Sequence, residues 1–159
     1  MSTDRRPLNI THTGAPQQAR TMYDERFLVP MRQDLTEVGF TELRTADEVD
    51  EALQTKSGTA MVLVNSVCGC SARMARPAAR IAAGHGTKPD HLYTVFAGQD
   101  AEATEQARSY FTGFAPSSPS MAILRDGQLV WMMERWQIEG RPAEEIAEEL
   151  VAAFEEHCG

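Results

Sequence analysis

The feature of this sequence that most limits its fold is a short apolar run, Ala60–Val64, which ends at Asn65. No polar residue alternates within the run, so it predicts a parallel strand that is buried on both faces. The alanine-rich segment that follows, residues 72–83, favours a helix that Pro77 interrupts and Gly84 ends. A buried strand that leads directly into a helix is typical of an α/β protein.

The rest of the chain predicts a regular alternation of helices and strands. Before the buried strand we expect a helix carrying Phe27, Leu28, Met31, Leu35 and Val38 that kinks or starts near Pro30, a short strand at Phe40–Arg44, and a helix capped at Thr45–Glu48. After it we expect a strand at His91–Ala97, a helix from Asp100 to Tyr110, a hairpin of Ser120–Arg125 and Gln128–Trp136 joined by Asp126–Gly127, and a last helix from Pro142. This order predicts a thioredoxin-like fold, with a mixed central sheet and helices on both faces.

Length and charge argue against several classes of protein. The chain has 159 residues and a net charge of −8, which predicts one domain without the basic surface that nucleic-acid binding needs. Its apolar run is too short to cross a membrane. Residues 1–21 are polar and lack the apolar stretch of a secretory signal. We therefore expect a flexible N-terminal arm at residues 1–21, a single thioredoxin-like domain at residues 22–159, and a cytoplasmic protein that binds neither nucleic acid nor membranes.

Three cysteines, Cys68, Cys70 and Cys158, are too few for a disulfide framework in a domain of this size. Cys68 and Cys70 instead lie between the buried strand and its helix, at the edge where open α/β sheets place their sites. A helix N-terminus favours a thiolate, which is the species that attacks a disulfide. Arg73 and Arg76 on that helix are expected to add positive charge. The pair therefore predicts thiol–disulfide exchange, with Cys70 at the start of the helix and less open to solvent than Cys68.

The single residue between the two cysteines has its own consequence. Cys68 and Cys70 can form a disulfide only if the chain between them bends, and Gly69 permits conformations that a Cβ forbids. The resulting ring is small and strained. We therefore expect this disulfide to be more oxidising than that of a thioredoxin.

Pro119 is expected to support the same site. Ser118-Pro119-Ser120 precedes the first strand of the hairpin, where thioredoxin-like folds place a cis-proline beside the active thiol. A cis bond would leave the Ser118 backbone free to pair with an extended substrate. The alternative is a trans proline that opens a strand.

Longer motifs make the sequence resemble the bacilliredoxin family of Cys-X-Cys thioredoxin-like proteins. The likeness runs from about Tyr23 to Cys158. Its motifs are Val29–Arg32, Leu35–Thr36, Gly39–Phe40, Asn65–Cys70, Ala75–Ala79, Val95–Asp100, Tyr110–Gly113, Pro116–Met121, Ile138–Gly140 and Ala153–Cys158.

The resemblance implies an enzyme that acts on proteins carrying a bacillithiol mixed disulfide. It implies that Cys68 attacks the disulfide and takes the bacillithiol, and that Cys70 can then resolve the adduct. Bacillithiol would be the thiol co-substrate, with no bound cofactor, and the partners would be bacillithiolated or disulfide-containing cytosolic proteins. In a cell without bacillithiol, general disulfide reduction or isomerisation is the remaining activity.

Two functions of other kinds stay open. The cysteines could bind zinc, although the other available ligands lack zinc-finger spacing and we expect no metal; these ligands are His85, His91, His157 and Cys158. The fold could instead serve as a redox-sensing or adaptor module without turnover. Cys158 itself, beside Gly159, is interpreted as an exposed spare thiol, with a third catalytic cysteine as the alternative.

Overall fold

The computed structural model describes residues 23–54 and 57–159. The expected N-terminal arm, residues 1–21, lies outside the described residues. The elements in chain order are α1 Glu25–Thr36, β1 Thr41–Glu42, α2 Ala46–Gln54, β2 Thr59–Asn65, a π-helical turn Ser71–Ala75 that continues into α3 Arg76–Ala83, β3 His91–Phe96, α4 Ala101–Arg108, β4 Ser120–Arg125, β5 Gln128–Met133, α5 Arg135–Ile138 and α6 Ala143–Cys158. This is the predicted order, with the short helix α5 added.

The strands form one five-stranded sheet in the order β1-β3-β2-β4-β5. β2 lies at its centre, parallel to β3 and antiparallel to β4, and every residue of β2 is buried. The carboxyl end of β2 and the amino end of β4 therefore meet at one edge of the sheet, where Val64 pairs with Ser120. The predicted mixed sheet is confirmed.

Helices cover both faces of the sheet, as predicted. Met61 and Leu63 of β2 join an apolar cluster with α3 and α6 on one face. Val62 and Val64 point the opposite way and join a second cluster with α2 and α4. Because both clusters remove apolar area from water, they hold β2 as a fixed support for the loop that follows it. Within residues 23–54 and 57–159, no helix combines the length and the apolar character needed to span a bilayer.

The hairpin differs from its prediction at the far end. Asp126 and Gly127 have φ values of 51° and 81°, the backbone of the predicted tight turn. The second strand, however, stops at Met133, and Trp136 lies exposed on α5 instead of in the strand. The chain leaves the sheet here because Glu134 begins α5 with a capping box.

Two predictions about helix starts are also corrected. α1 begins at Glu25, capped by the Asp24 carboxylate, so the alternative of a helix start near Pro30 is wrong, and Pro30 lies inside the helix. Asp100 precedes α4, but its carboxylate does not cap that helix. It accepts a hydrogen bond from the buried Arg32 at 2.9 Å instead, as one of three carboxylates, with Glu25 and Glu42, that pair with this guanidinium.

Candidate active site

Cys68 and Cys70 lie at the edge of the sheet, just beyond the carboxyl end of β2. The Cys68 carbonyl accepts hydrogen bonds from the N–H groups of Ser71 and Ala72 at 3.0 and 3.1 Å. Cys70 directly precedes the π-helical turn, a helix irregularity that often occurs at functional sites. Both cysteines are half-buried, and neither is in a disulfide. The predicted strand–helix junction is confirmed.

A pair of buried serine hydroxyls lies beside Cys68. Ser66 Oγ donates to Cys68 Sγ at 3.2 Å. Ser71 Oγ lies 3.1 Å from Ser66 Oγ, and the Ser71 side chain is fully buried. Because the Ser66 proton is used on the sulfur, Ser71 is the donor between the two hydroxyls. The hydroxyls therefore form a chain from Ser71 through Ser66 to the sulfur, and each bond strengthens the next.

This environment favours the charged form of Cys68. Burial alone would raise the pKa of its thiol, because a thiolate loses solvation inside the protein. Hydrogen bonds from the Ser66 hydroxyl and from the backbone N–H groups of Ser71 and Cys70, with the positive charge of Arg135, outweigh burial and lower the pKa of Cys68. A lowered pKa increases the thiolate fraction near neutral pH, so Cys68 has the properties of an attacking thiol.

Cys70 has the opposite tendency. Burial and the neighbouring Cys68 sulfur raise the pKa of its thiol, Glu139 raises it further, and Arg135 compensates only in part. Cys70 Sγ lies 3.7 Å from Arg135 Nη2 and 3.9 Å from Glu139 Oε2. Cys70 therefore keeps its proton while Cys68 is charged.

The expectation that Cys70 would be less open to solvent than Cys68 is wrong. Cys68 Sγ makes its contact with Ser66 in a partly buried position, whereas Cys70 Sγ meets Glu139 at the exposed surface. The reason is that the serine hydroxyls enclose Cys68 from the sheet side, while Arg135 and Glu139 flank Cys70 from the outside.

Arg135 joins the cysteines to the Ser118–Pro119 bend. The bond between Ser118 and Pro119 is cis, as predicted, and Pro119 is buried. Arg135 Nη1 donates to the Ser118 carbonyl at 3.0 Å, and Arg135 Nε donates to Glu139 at 3.2 Å. The Ser118 carbonyl therefore already accepts one hydrogen bond, and pairing of the Ser118 backbone with an extended substrate stays a prediction.

Arg76 stabilises the end of β2 that precedes the cysteines, and it contacts neither sulfur. It is buried and donates to the Asp34 carboxylate, to Asn65 Oδ1 and to the Ser66 carbonyl at 3.1, 2.9 and 2.8 Å. Arg76 therefore fixes the end of β2 against α1 and α3. The positive charge that Arg76 was expected to bring to the thiols comes from Arg135.

Arg73 and Gly69 fit together at the tip of the loop. A Cβ added to Gly69 would lie 2.9 Å from Arg73 Nη2. Gly69 does not have a positive φ in this thiol form of the protein. That close approach is to the end of a flexible side chain, which can move aside, so the space at this position does not by itself require glycine.

Cys158 lies at the opposite end of the sheet. Its thiol interacts with Thr59, the first residue of β2, whereas Cys68 follows the last. A strand of this length separates the two by about 20 Å, which argues against a third catalytic cysteine. The expected exposed position is wrong, because Cys158 is half-buried at the end of α6, and burial raises the pKa of its thiol.

Of the histidines considered as zinc ligands, His91 lies far from Cys68 and Cys70, and His85 is paired with a carboxylate. His91 pairs in register with Ala60, at the same end of the sheet as Cys158. His85 lies 3.0 Å from the Glu155 carboxylate. In the described part of the chain, no three His, Cys, Asp or Glu side chains converge as metal ligands do. A zinc site that combines Cys68 and Cys70 with these histidines has no support in the geometry.

Comparison with solved structures identifies the fold. A thioredoxin of Malassezia sympodialis matches with a TM-score of 0.52 and 14% identity, over 75% of this chain and 90% of that one. Thioredoxin f2 of Chlamydomonas reinhardtii matches with a TM-score of 0.51 and 14% identity, over 75% of this chain and 96% of that one. The predicted thioredoxin-like fold is confirmed.

Sequence comparison identifies the family. The family profile described as disulphide isomerase matches residues 23–158. A bacilliredoxin of Koribacter versatilis is 56% identical over 138 residues, which cover 87% of this chain and 95% of the relative. This chain belongs to the bacilliredoxin family. A bacilliredoxin of Salinibacter ruber is 52% identical over 141 residues, which cover 86% of this chain and 82% of the relative. Family and fold together make the protein a thiol–disulfide oxidoreductase.

Sequence reasoning missed four residues at the site of this bacilliredoxin, namely Ser66, Ser71, Arg135 and Glu139. The hairpin contains a signal for the last two. Met133 pairs with Met121 at the start of β4, so residues that follow β5 return to the edge where the cysteines lie. Polar side chains directly after the hairpin were therefore candidates for the site. The serines flank the cysteines in sequence, but their inward direction cannot be read from spacing.

Proposed function

We propose that this protein removes bacillithiol from protein mixed disulfides, with Cys68 as the attacking and Cys70 as the resolving thiol. The observation that carries the proposal is the unequal setting of two thiols one residue apart: Ser66 Oγ donates to Cys68 Sγ at 3.2 Å, whereas Cys70 Sγ lies 3.9 Å from the Glu139 carboxylate. The pKa directions of the two thiols agree with this difference. Membership of the bacilliredoxin family, together with the activity that the sequence resemblance implies, supports bacillithiol as the thiol that is removed. The substrates would be cytosolic proteins, with bacillithiol as co-substrate.

The proposed reaction has two exchanges. The Cys68 thiolate attacks the bacillithiol sulfur of the modified protein, and the electron pair of the broken S–S bond leaves with the protein's cysteine as a thiolate. Bacillithiol is then held on Cys68 as a mixed disulfide. Cys70 attacks the Cys68 sulfur, which forms the Cys68–Cys70 disulfide and releases bacillithiol as a thiol.

General disulfide reduction or isomerisation is the second candidate. It is favoured by the description of the matching family profile as a disulphide isomerase. The two candidates use the same thiols and differ in the adduct that is preferred. A comparison of adducts on one protein therefore separates them.

The test uses a model protein with a single cysteine that carries bacillithiol, and a matched sample that carries cysteine instead. Mass spectrometry follows the loss of each adduct. We expect Cys68→Ser to abolish transfer and Cys70→Ser to complete the first transfer and then retain bacillithiol on Cys68. Cys158→Ser should leave single-turnover transfer nearly unchanged, because Thr59 places that thiol at the other end of the sheet.

Each alternative has its own result in this assay. Transfer by Cys68→Ser together with its loss in Cys70→Ser would reverse the roles of the two thiols. Equal rates with both adducts would favour the general reductase over the bacillithiol-specific activity. Equal loss of transfer in Cys158→Ser would show that the third thiol takes part.

A further inference from the structure

Glu139 places a carboxylate beside the second thiol of the site. It follows α5, and its side chain is about half exposed. Cys70 Sγ donates to Glu139 Oε2 at 3.9 Å, a long contact that still lies within reach of a sulfur hydrogen bond. The carboxylate is held in this direction by Arg135, whose Nε donates to the same oxygen at 3.2 Å.

A carboxylate in this position has two opposite effects on Cys70. Its negative charge disfavours the thiolate and so makes Cys70 a weaker nucleophile at rest. The same oxygen can accept the thiol proton at the moment when the sulfur attacks. The two effects change the rate of the resolving step in opposite directions.

We propose that Glu139 is the proton acceptor for Cys70 in the resolving step. The proposal rests on the proposed function, in which Cys68 carries an adduct before Cys70 attacks. As the Cys70 sulfur bonds to the Cys68 sulfur, its proton passes to Glu139. The bond between Cys68 and the adduct breaks, and its electron pair leaves with the adduct as a thiolate. Glu139 then gives the proton to this thiolate, so one thiol and one mixed disulfide become one disulfide and one thiol.

Arg135 is the positioning residue for this step. Its three nitrogens contact the Glu139 carboxylate, the Cys70 sulfur and the Ser118 carbonyl. The third contact anchors the guanidinium to the Ser118–Pro119 bend, so the other two keep a defined geometry. Cys68, Arg135 and Glu139 are the charged or titratable groups that act on Cys70, and Arg135 is the one that holds the acceptor toward the thiol.

Glu139→Gln separates the two effects of the carboxylate. If charge alone mattered, the variant would have a lower pKa at Cys70 and would resolve the adduct faster near neutral pH. Loss of a proton acceptor instead slows resolution, and we expect a slowing of about tenfold or more. The slowing should disappear at high pH, where the Cys70 thiolate forms without help.

The assay uses dithiodipyridine, a neutral aromatic disulfide whose thiopyridone product absorbs light. In a Cys158→Ser background, the first release of thiopyridone reports attack by Cys68, and the second release reports resolution by Cys70. Glu145→Gln is the matched control, because it removes the same charge from a glutamate that also pairs with an arginine four residues before it, Arg141, and does not contact either sulfur. We expect both phases to be unchanged in this control.

We expect Glu139→Gln to slow the second phase alone, with an unchanged first phase as evidence of an intact fold. A second phase that is as fast as in the parent protein, or faster, at every pH would overturn the proposal. An equal slowing in Glu145→Gln would also overturn it. The probe carries no bacillithiol, so failure to remove bacillithiol from a protein would refute the proposed function and leave this test intact.

Discussion

Cys68 and Cys70 are one residue apart, yet their surroundings favour opposite protonation states. Hydroxyl and N–H donors converge on Cys68, whereas Cys70 has a carboxylate and the other sulfur as neighbours. A charged Cys68 itself helps to keep Cys70 protonated, because two adjacent thiolates repel each other. The order in which the two thiols react therefore follows from their positions and needs no further control.

Ser66→Ala tests the donor on which this order depends. The variant loses the hydrogen bond to Cys68 Sγ, so the pKa of Cys68 should rise toward that of an ordinary thiol. Ultraviolet thiolate absorbance measured against pH, in a Cys70→Ser Cys158→Ser background, gives the pKa directly. Below this pKa the reaction with dithiodipyridine should become several-fold slower, and at high pH the difference should vanish.

Ser71→Ala should raise the pKa of Cys68 in the same direction by a smaller amount, because Ser71 acts only through Ser66. Ser109→Ala is the control, since its hydroxyl donates to the Gln106 carbonyl on the exposed end of α4. An unchanged pKa of Cys68 in Ser66→Ala would refute the role of the hydroxyl chain.

The elements α1, α3 and β2 meet at Arg76, and the neighbouring Arg80 allows a matched comparison. Both arginines lie on α3 and bond to Asp34, but Arg76 is 4% exposed and Arg80 is 40% exposed. Arg76→Ala leaves the buried Asn65 short of a partner and should lower the free energy of unfolding by about 3 kcal/mol. Arg80→Ala should cost less than about 1 kcal/mol, because water screens its contacts. Urea denaturation measures both values, and equal losses would contradict this role of Arg76.

Some elements could be predicted from local sequence and others could not. The apolar pattern of β2 and the Asp126–Gly127 turn predict their structures because both depend on neighbouring residues. The end of β5 was predicted too late, because the capping box at Glu134 competes with continued strand pairing. The element order was enough for the fold, since few arrangements accommodate a buried parallel strand followed by a hairpin.

The chemistry of the site was only half predictable for a related reason. Both cysteines and the cis bond before Pro119 follow from their positions between elements. The charge at the thiols was assigned to Arg73 and Arg76, which are close in sequence, yet the structure brings Arg135 from beyond the hairpin. Contacts of this kind depend on strand register and side-chain direction, and residue spacing contains neither.

At the scale of the whole molecule, the Cys68–Cys70 disulfide should have a reduction potential above that of thioredoxin, which is about −270 mV. A small ring across Gly69 strains the oxidised form, and the donors around Cys68 stabilise the reduced form. Equilibration in glutathione buffers, followed by alkylation and mass spectrometry, measures the potential. Cys158→Ser should have the same value, because its thiol lies at the other end of the sheet. A potential as low as that of thioredoxin would contradict the expectation.

The position of Arg135 means that partner proteins meet a different surface before and after the reaction. When Cys68 of the reduced protein is a thiolate, it and Glu139 face one guanidinium, and this group of side chains carries one net negative charge. Disulfide formation removes the thiolate and leaves the Arg135–Glu139 pair neutral. This difference in charge would favour different partner surfaces in the two oxidation states of the site.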